Sequence, residues 1–283
     1  MRAIIAGICL ATTLLSSPLW AQTANAPQQQ GQGAKSFIRE DLQSSAIRLE
    51  ERIRKEMTAQ VQGRDAAQLR TQARGLLGSN ARQAHSLFAG SLALEGKSAN
   101  SWLGLSQSAL KIEPKDSSER YYLRDLAQTA AYQSYLMANS RSEEATALSL
   151  LAEAYASGEN WKPALAAYRA SLAQADVPGV RKAYQEMREK YGFRIDESDA
   201  YKVDSDAANP RLCFRFTDPL LGAKTDYAPF VSVSGAEKVA VSAEDSQLCI
   251  DGQKHGQRYG VTLRQGLPSS VGENLLKTGD YDI

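Results

Sequence analysis

The sequence is poor in the residues on which most enzymatic chemistry depends. It holds two histidines, His85 and His255, three cysteines and three tryptophans among 283 residues. A Gly-x-Ser-x-Gly elbow, a phosphate-binding glycine loop and a metal-spaced His/Cys cluster are all missing. We therefore expect no enzyme, and assign no catalytic residue, metal ligand or cofactor. A charge excess is missing too. Lys+Arg is 33 and Asp+Glu is 32, so there is no general attraction to DNA, RNA or anionic lipid. Finally, there is no apolar run of the roughly 20 residues that a membrane-spanning helix needs.

The longest apolar run begins at the third residue. Arg2 precedes Ala3-Ile-Ile-Ala-Gly-Ile-Cys-Leu-Ala-Thr-Thr-Leu-Leu15, and small residues follow at Ala24-Asn25-Ala26, with Ala21 as an alternative exit. A charged start, a short apolar core and a small-x-small exit make a secretory signal peptide over residues 1–26. Cys9 lies inside the apolar core, which argues against a lipid-modified cysteine. Cleavage removes Arg2 alone among charged residues, lowering Lys+Arg from 33 to 32, equal to Asp+Glu. The mature chain is expected in the periplasm with no transmembrane segment. Residues 27–35, Pro-Gln-Gln-Gln-Gly-Gln-Gly-Ala-Lys, read as a disordered lead-in.

Residues 36–192 carry helical periodicity. Ile38, Leu42, Ala46, Leu49, Ile53 and Met57 share one helix face, and the charges from Glu50 to Lys55 form a solvated one. Further on, apolar or small residues Leu148, Leu151, Ala152 and Tyr155 are followed by Ala164, Tyr168 and Ser171. That spacing resembles the tetratricopeptide repeat, a 34-residue helix pair whose members stack. Ala84, Phe88 and Ser91, followed by Trp102, Leu105, Ser106 and Ala109, form a second, degenerate match. The stretch with Tyr121-Tyr122, Tyr132 and Tyr135 loses the period, and a generic bundle of α-hairpins is the alternative. Glu143-Glu144 reads as helix capping. Pro178 opens one more amphipathic helix, with Val180, Ala183, Tyr184, Met187 and Tyr191 on one face and Gly192 as a left-handed cap.

After Gly192 the composition changes. Asp196–Pro210 is acidic and polar but lacks the ligand ladder of a calcium loop, so it reads as a linker and first strand. From Leu212 the period is two: Leu212, Phe214 and Phe216; Val231 and Val233; Val239 and Val241; Leu248 and Ile250; Tyr259, Val261 and Leu263. Five or six antiparallel strands in residues 199–283 are expected, arranged as a small β-sandwich. Cys213 and Cys249 sit mid-strand with the same parity, opposite their apolar neighbours, and so could face each other. In an exported protein a disulfide is favoured over a catalytic thiol, for which His255 would be the only nearby base.

From about Glu143 onward the chain resembles the N-terminal part of bacterial α2-macroglobulin family proteins. The resembling segments are Trp161-Lys-Pro-Ala-Leu-Ala-Ala-Tyr-Arg-Ala-Ser-Leu172, Tyr191-Gly-Phe-Arg-Ile195, Val203-Asp-Ser-Asp-Ala-Ala-Asn-Pro-Arg-Leu-Cys-Phe-Arg-Phe216, Leu248-Cys-Ile-Asp-Gly252, His255-Gly-Gln-Arg-Tyr259 and Leu263-Arg-Gln-Gly-Leu-Pro268. They occur in order over about half of the chain. The resemblance implies a macroglobulin-type β-sandwich over residues 199–283, near the start of a longer string of such domains in a large periplasmic protease trap. Some family members hold a thioester formed by Cys-x-Glu-Gln. This chain has no Glu-Gln dipeptide, so no thioester is assigned, and the chain is expected to be a fragment.

The expected fold class is therefore α+β in separate segments, a tetratricopeptide-like helical array followed by a macroglobulin-type sandwich. The expected function is the N-terminal portion of an endopeptidase inhibitor, with proteases as targets of the complete protein and the helices as a docking or spacer module. The alternative is a free-standing envelope scaffold whose repeats bind a partner protein. Asn100, Trp102, Glu153, Tyr155 and Arg169 are the candidate groove contacts.

Overall fold

The computed structural model describes residues 35–203, 206–208, 210–222, 224–236 and 238–283. The signal peptide over residues 1–26, Cys9 and residues 27–34 of the lead-in lie outside the described residues. Helices fill the first part of the described chain: α1 Glu40–Met57, α2 Ala66–Leu76, α3 Ala81–Leu94, α4 Ala99–Lys111, α5 Ser117–Met137, α6 Arg141–Ala156, α7 Trp161–Gln174 and α8 Pro178–Tyr191. Local chemistry starts most of them. The side chains of Asp65, Asn80, Ser98, Asp116 and Ser140 each accept from a backbone N–H in the first turn, satisfying a donor the helix cannot. At α6, Glu143 also accepts from Asn139 N at 2.7 Å, completing a box around the helix start. Pro178 opens α8, where its fixed φ fits and its missing N–H costs nothing.

From α2 to α8, each helix packs on the next, while α1 crosses back onto α3 and α5. Small residues set the distances. A Cβ on Gly104 of α4 would lie 2.2 Å from the Phe88 ring, so α3 and α4 meet through a bare backbone. Between α6 and α7 the contact is made largely by alanines, with Ala147, Ala152, Ala164 and Ala167 all fully buried. Buried hydroxyls tie neighbouring helices together. Ser106 donates to Ala127 O at 2.8 Å and Ser171 to Ala145 O at 2.7 Å, each worth about 1 kcal/mol net. The helices thus enclose two clusters, one around Phe88 and Trp102 and one around Tyr132, Tyr135, Leu148 and Tyr155.

Among the described residues the second part forms seven strands in two antiparallel sheets. The strands are β1 Tyr201–Val203, β2 Leu212–Arg215, β3 Val231–Val233, β4 Ala240–Glu244, β5 Gln247–Asp251, β6 Gly260–Leu263 and β7 Gly279–Asp282. One sheet runs β1-β2-β5-β4 and the other β3-β6-β7, so the fold is mixed α+β. The inward residues of both sheets share one apolar cluster, with Leu212, Phe214, Leu248 and Ile250 from the first and Val231, Val233, Val261 and Leu263 from the second. Cys213 pairs directly with Cys249 across β2 and β5 and is bonded to it as a disulfide. Strict alternation is what put both cysteines on the same face.

Three local expectations change. Ile38, expected on the buried face of the first helix, precedes α1 and is exposed, because the chain there is extended and alternates sides. Short strands β1 and β7 bring the number above the expected five or six. Gly192 does not adopt the left-handed conformation: its φ is −72° and its ψ −175°. It is glycine because a Cβ would lie 2.5 Å from Arg188 O and 3.0 Å from Glu273 Oε2. The carbonyl of Arg188 in the last turn of α8, together with Glu273 from a sheet-side loop, explains the residue.

Candidate functional site

Two places on the chain concentrate polar side chains where apolar packing would suffice. The first is a face built by α5 and α6. Tyr132 and Tyr135, three apart on α5, point the same way, and Tyr155 of α6 lies beside them in one cluster. The main chain just before α1 crosses this face. Phe37 N donates to Tyr135 Oη and Arg39 N to Tyr132 Oη, both at 3.0 Å. The Arg39 guanidinium lies 5.2 Å over the Tyr155 ring, and Lys35 Nζ lies 5.1 Å over that of Tyr135. Lys35 also pairs with Glu144 at 2.6 Å and donates to Ala138 O at 2.9 Å. Lys35, expected as the end of a disordered lead-in, is thus held at three points. Burial raises the Tyr132 phenol above its ordinary pKa and pushes that of Tyr155 up to about 12.

The second place is the junction where α7 and α8 meet loops of the sheets. Lys162 and Arg169 are seven apart on α7, two helical turns, and so project from one face. Lys162 pairs with Asp218 and Arg169 with Glu273 at 2.6 Å. Both carboxylates are almost fully buried, at 7% and 2% side-chain exposure. Glu273 Oε2 also accepts from Phe193 N at 2.8 Å, and Arg169 donates to Val271 O as well. Arg188 of α8 donates to Asn274 O at 2.8 Å. The Trp161 and Tyr191 rings stack at 4.1 Å with 4° between planes. They line an open cleft of about 370 Å³ together with Glu159, Lys162, Arg194 and Thr217. The stacked rings hold α7 to α8, and two ion pairs and main-chain bonds fasten these helices to loops of the sheets.

Of the five residues expected as groove contacts, Trp102 and Tyr155 are buried, Asn100 and Glu153 are exposed and Arg169 is half-buried. Asn100 is exposed in the first turn of α4. Trp102 is fully buried in the α3–α4 core and its Nε1 donates to Gly96 O at 2.8 Å, so it is a packing residue. Glu153 is exposed on α6, with its carboxyl pKa raised by partial desolvation. Tyr155 is buried beneath Arg39, and Arg169 belongs to the junction. Sequence reasoning missed Tyr132, Tyr135, Glu144, Asp218 and Glu273. The i, i+3 spacing of the two tyrosines was the available signal. His255 makes a loop contact to Ala207 O and approaches no thiol role, since Cys249 is disulfide-bonded.

Among the described residues no group of three or more His, Cys, Asp or Glu could hold a metal ion, and no helix is long and apolar enough to cross a membrane. Comparison of the chain with protein-family models and with curated proteins finds no match.

Proposed function

We propose that the chain is the amino-terminal portion of a periplasmic α2-macroglobulin-like endopeptidase inhibitor. In this reading the helices are tetratricopeptide-like hairpins acting as a docking or spacer module, and residues 199–283 are a macroglobulin-type β-sandwich. The observation that carries it is the ordered run of resembling segments from Trp161 to Pro268. Three features support it. The first resembling segment lies in α7, which supplies the cations of both junction ion pairs, as a spacer fixed to the next module requires. The two sheets share a single core. The Cys213–Cys249 disulfide suits an oxidising compartment. The small residues at Gly104, Ser106, Ala164 and Ser171, each at a close helix contact, favour stacked hairpins over a generic bundle.

The test uses the native species. An antibody against residues 35–283 should detect, in a periplasmic extract, a protein several times heavier than 30.8 kDa. The immunopurified species, mixed with an endopeptidase, should suppress digestion of a large protein substrate while sparing cleavage of a small peptide. A periplasmic species of about the chain's own mass would instead leave a free-standing scaffold that binds an envelope protein. A heavy species without effect on the endopeptidase would overturn the inhibitor reading.

A further inference from the structure

The segment that crosses the tyrosine face is not built like the end of a helix. Lys35, Phe37 and Arg39 turn toward the face while Ser36 and Ile38 point outward, Ile38 being 54% exposed. That alternation belongs to an extended strand. Its grip is of the kind used for peptides: two backbone N–H groups are captured by phenol oxygens, two cations lie over ring faces, and the Phe37 ring meets Tyr135 edge-on at 6.3 Å. Glu144 supplies the one charge complementary to Lys35. The seat is shallow, since none of the five residues is buried. Burial begins only at Leu42 and continues through Ala46, Leu49 and Ile53 of α1. One donor of the face is also left unused: the Tyr155 hydroxyl is buried beneath Arg39 and has no hydrogen-bond partner.

We propose that the face of Tyr132, Tyr135, Tyr155 and Glu144 is a recognition site for an extended segment of a partner protein with the pattern basic-x-aromatic-x-basic. Lys35–Arg39 is its internal occupant and masks it. A tethered occupant competes at an effective concentration on the order of millimolar, so a partner gains the face only with a tighter segment or when the strap is released. A tighter segment has an evident route, an acceptor placed against the Tyr155 hydroxyl. The inference rests on the docking role given above to the helices and not on protease trapping. The heavy native species could trap proteases even if this face binds nothing.

The experiment disables the strap in the mature chain with Lys35→Ser, Phe37→Ser and Arg39→Ser together. A fluorescein-labelled synthetic peptide of residues 35–41 is titrated against it and followed by anisotropy. The disabled chain should bind this peptide at least tenfold more tightly than the intact chain does, and more tightly than it binds a scrambled peptide. Adding Tyr132→Phe, Tyr135→Phe and Glu144→Gln to the disabled chain should remove at least tenfold of that affinity. If the triple variant loses its cooperative helical melt, Lys35→Ser with Arg39→Ser, which retains Phe37, is read in the same way. A folded disabled chain that ignores the peptide, or binds the scrambled one equally, overturns the proposal. So does an affinity untouched by the three face substitutions.

Discussion

Replacing Arg169 by methionine removes the cation opposite Glu273 while keeping much of the apolar stem. The Glu273 side chain is 2% exposed and holds two partners, Arg169 at 2.6 Å and the Phe193 N–H at 2.8 Å. Loss of one partner from a buried pair costs about 3–5 kcal/mol, because the remaining charge stays desolvated. Arg169 is 26% exposed and the Phe193 amide remains, which argues for the lower end, about 3 kcal/mol. For a chain of this length that lowers Tm by about 6–12 °C. Urea unfolding followed by circular dichroism gives the free energy, and calorimetry shows whether sheets and helices still melt together. The sharper test is the cycle with Glu273→Gln, which removes the orphaned charge and still accepts from Phe193. The double variant should be at least about 1 kcal/mol more stable than the two single losses added together. A single-variant loss below about 1 kcal/mol, the range of exposed ion pairs, would refute the reasoning. So would strict additivity.

Three further outcomes are expected. Cys213→Ser with Cys249→Ser, or reduction of the bond across its 36-residue separation, should cost about 4 kcal/mol on the chain-entropy account, read as a lower Tm in dithiothreitol for the wild-type chain only. Gly104→Ala gains about 1 kcal/mol of helix propensity but forces a methyl against the Phe88 ring at 2.2 Å. A net loss of about 2 kcal/mol should appear in chemical denaturation and shrink when Phe88→Leu is added. Burial lowers the His85 pKa from 6.5 to about 4, so the folded chain disfavours its protonation. The corresponding stability is present above the unfolded value near 6.5 and is lost as pH falls toward 4. Between pH 7 and pH 5 this amounts to about 2 kcal/mol, to be seen as a fall in Tm that His85→Gln flattens. Glu119, held down to about 2 by Arg82, loses its favourable interaction only below its own ordinary range and so does not obscure that window.

What could be read from the chain alone followed from local rules of the backbone. Strand parity placed Cys213 and Cys249 on one face, and the same rule put Leu212, Phe214, Leu248 and Ile250 inward. Helical spacing marked Leu42, Ala46, Leu49 and Ile53 as the buried side of α1, which they are, but also Ile38, which precedes the helix and is exposed. Periodicity says which side of a helix is buried but not what covers it. The crossing of α1 onto α3 and α5 was therefore illegible. The same gap explains the tyrosines. Tyr132 and Tyr135 fit no spacing sought in the sequence, and in the fold they serve α1 and the segment before it as well as the neighbouring helix.

Arg169 shows most plainly where local pattern fails. On α7 it occupies a half-buried, polar position that suits a groove contact as well as it suits a junction. Its partner lies 104 residues away, in a loop without periodicity, where Glu273 carries no local mark of being buried. Gly192 was misread for a related reason. A glycine at a helix end satisfies the local rule for a left-handed cap, yet here the demand comes from close approach: a Cβ would stand 2.5 Å from Arg188 O and 3.0 Å from Glu273 Oε2. Glycine and arginine at the helix–sheet junction are thus both answers to one buried carboxylate: Arg169 neutralises it, and Gly192 leaves room for it beside the amide of Phe193. An alanine at position 192 should accordingly weaken the same junction as Arg169→Met. Only the part of the Gly192→Ala cost that falls on Glu273 is shared with Arg169→Met, so their combined cost should fall slightly short of the sum, the clash with Arg188 O adding independently.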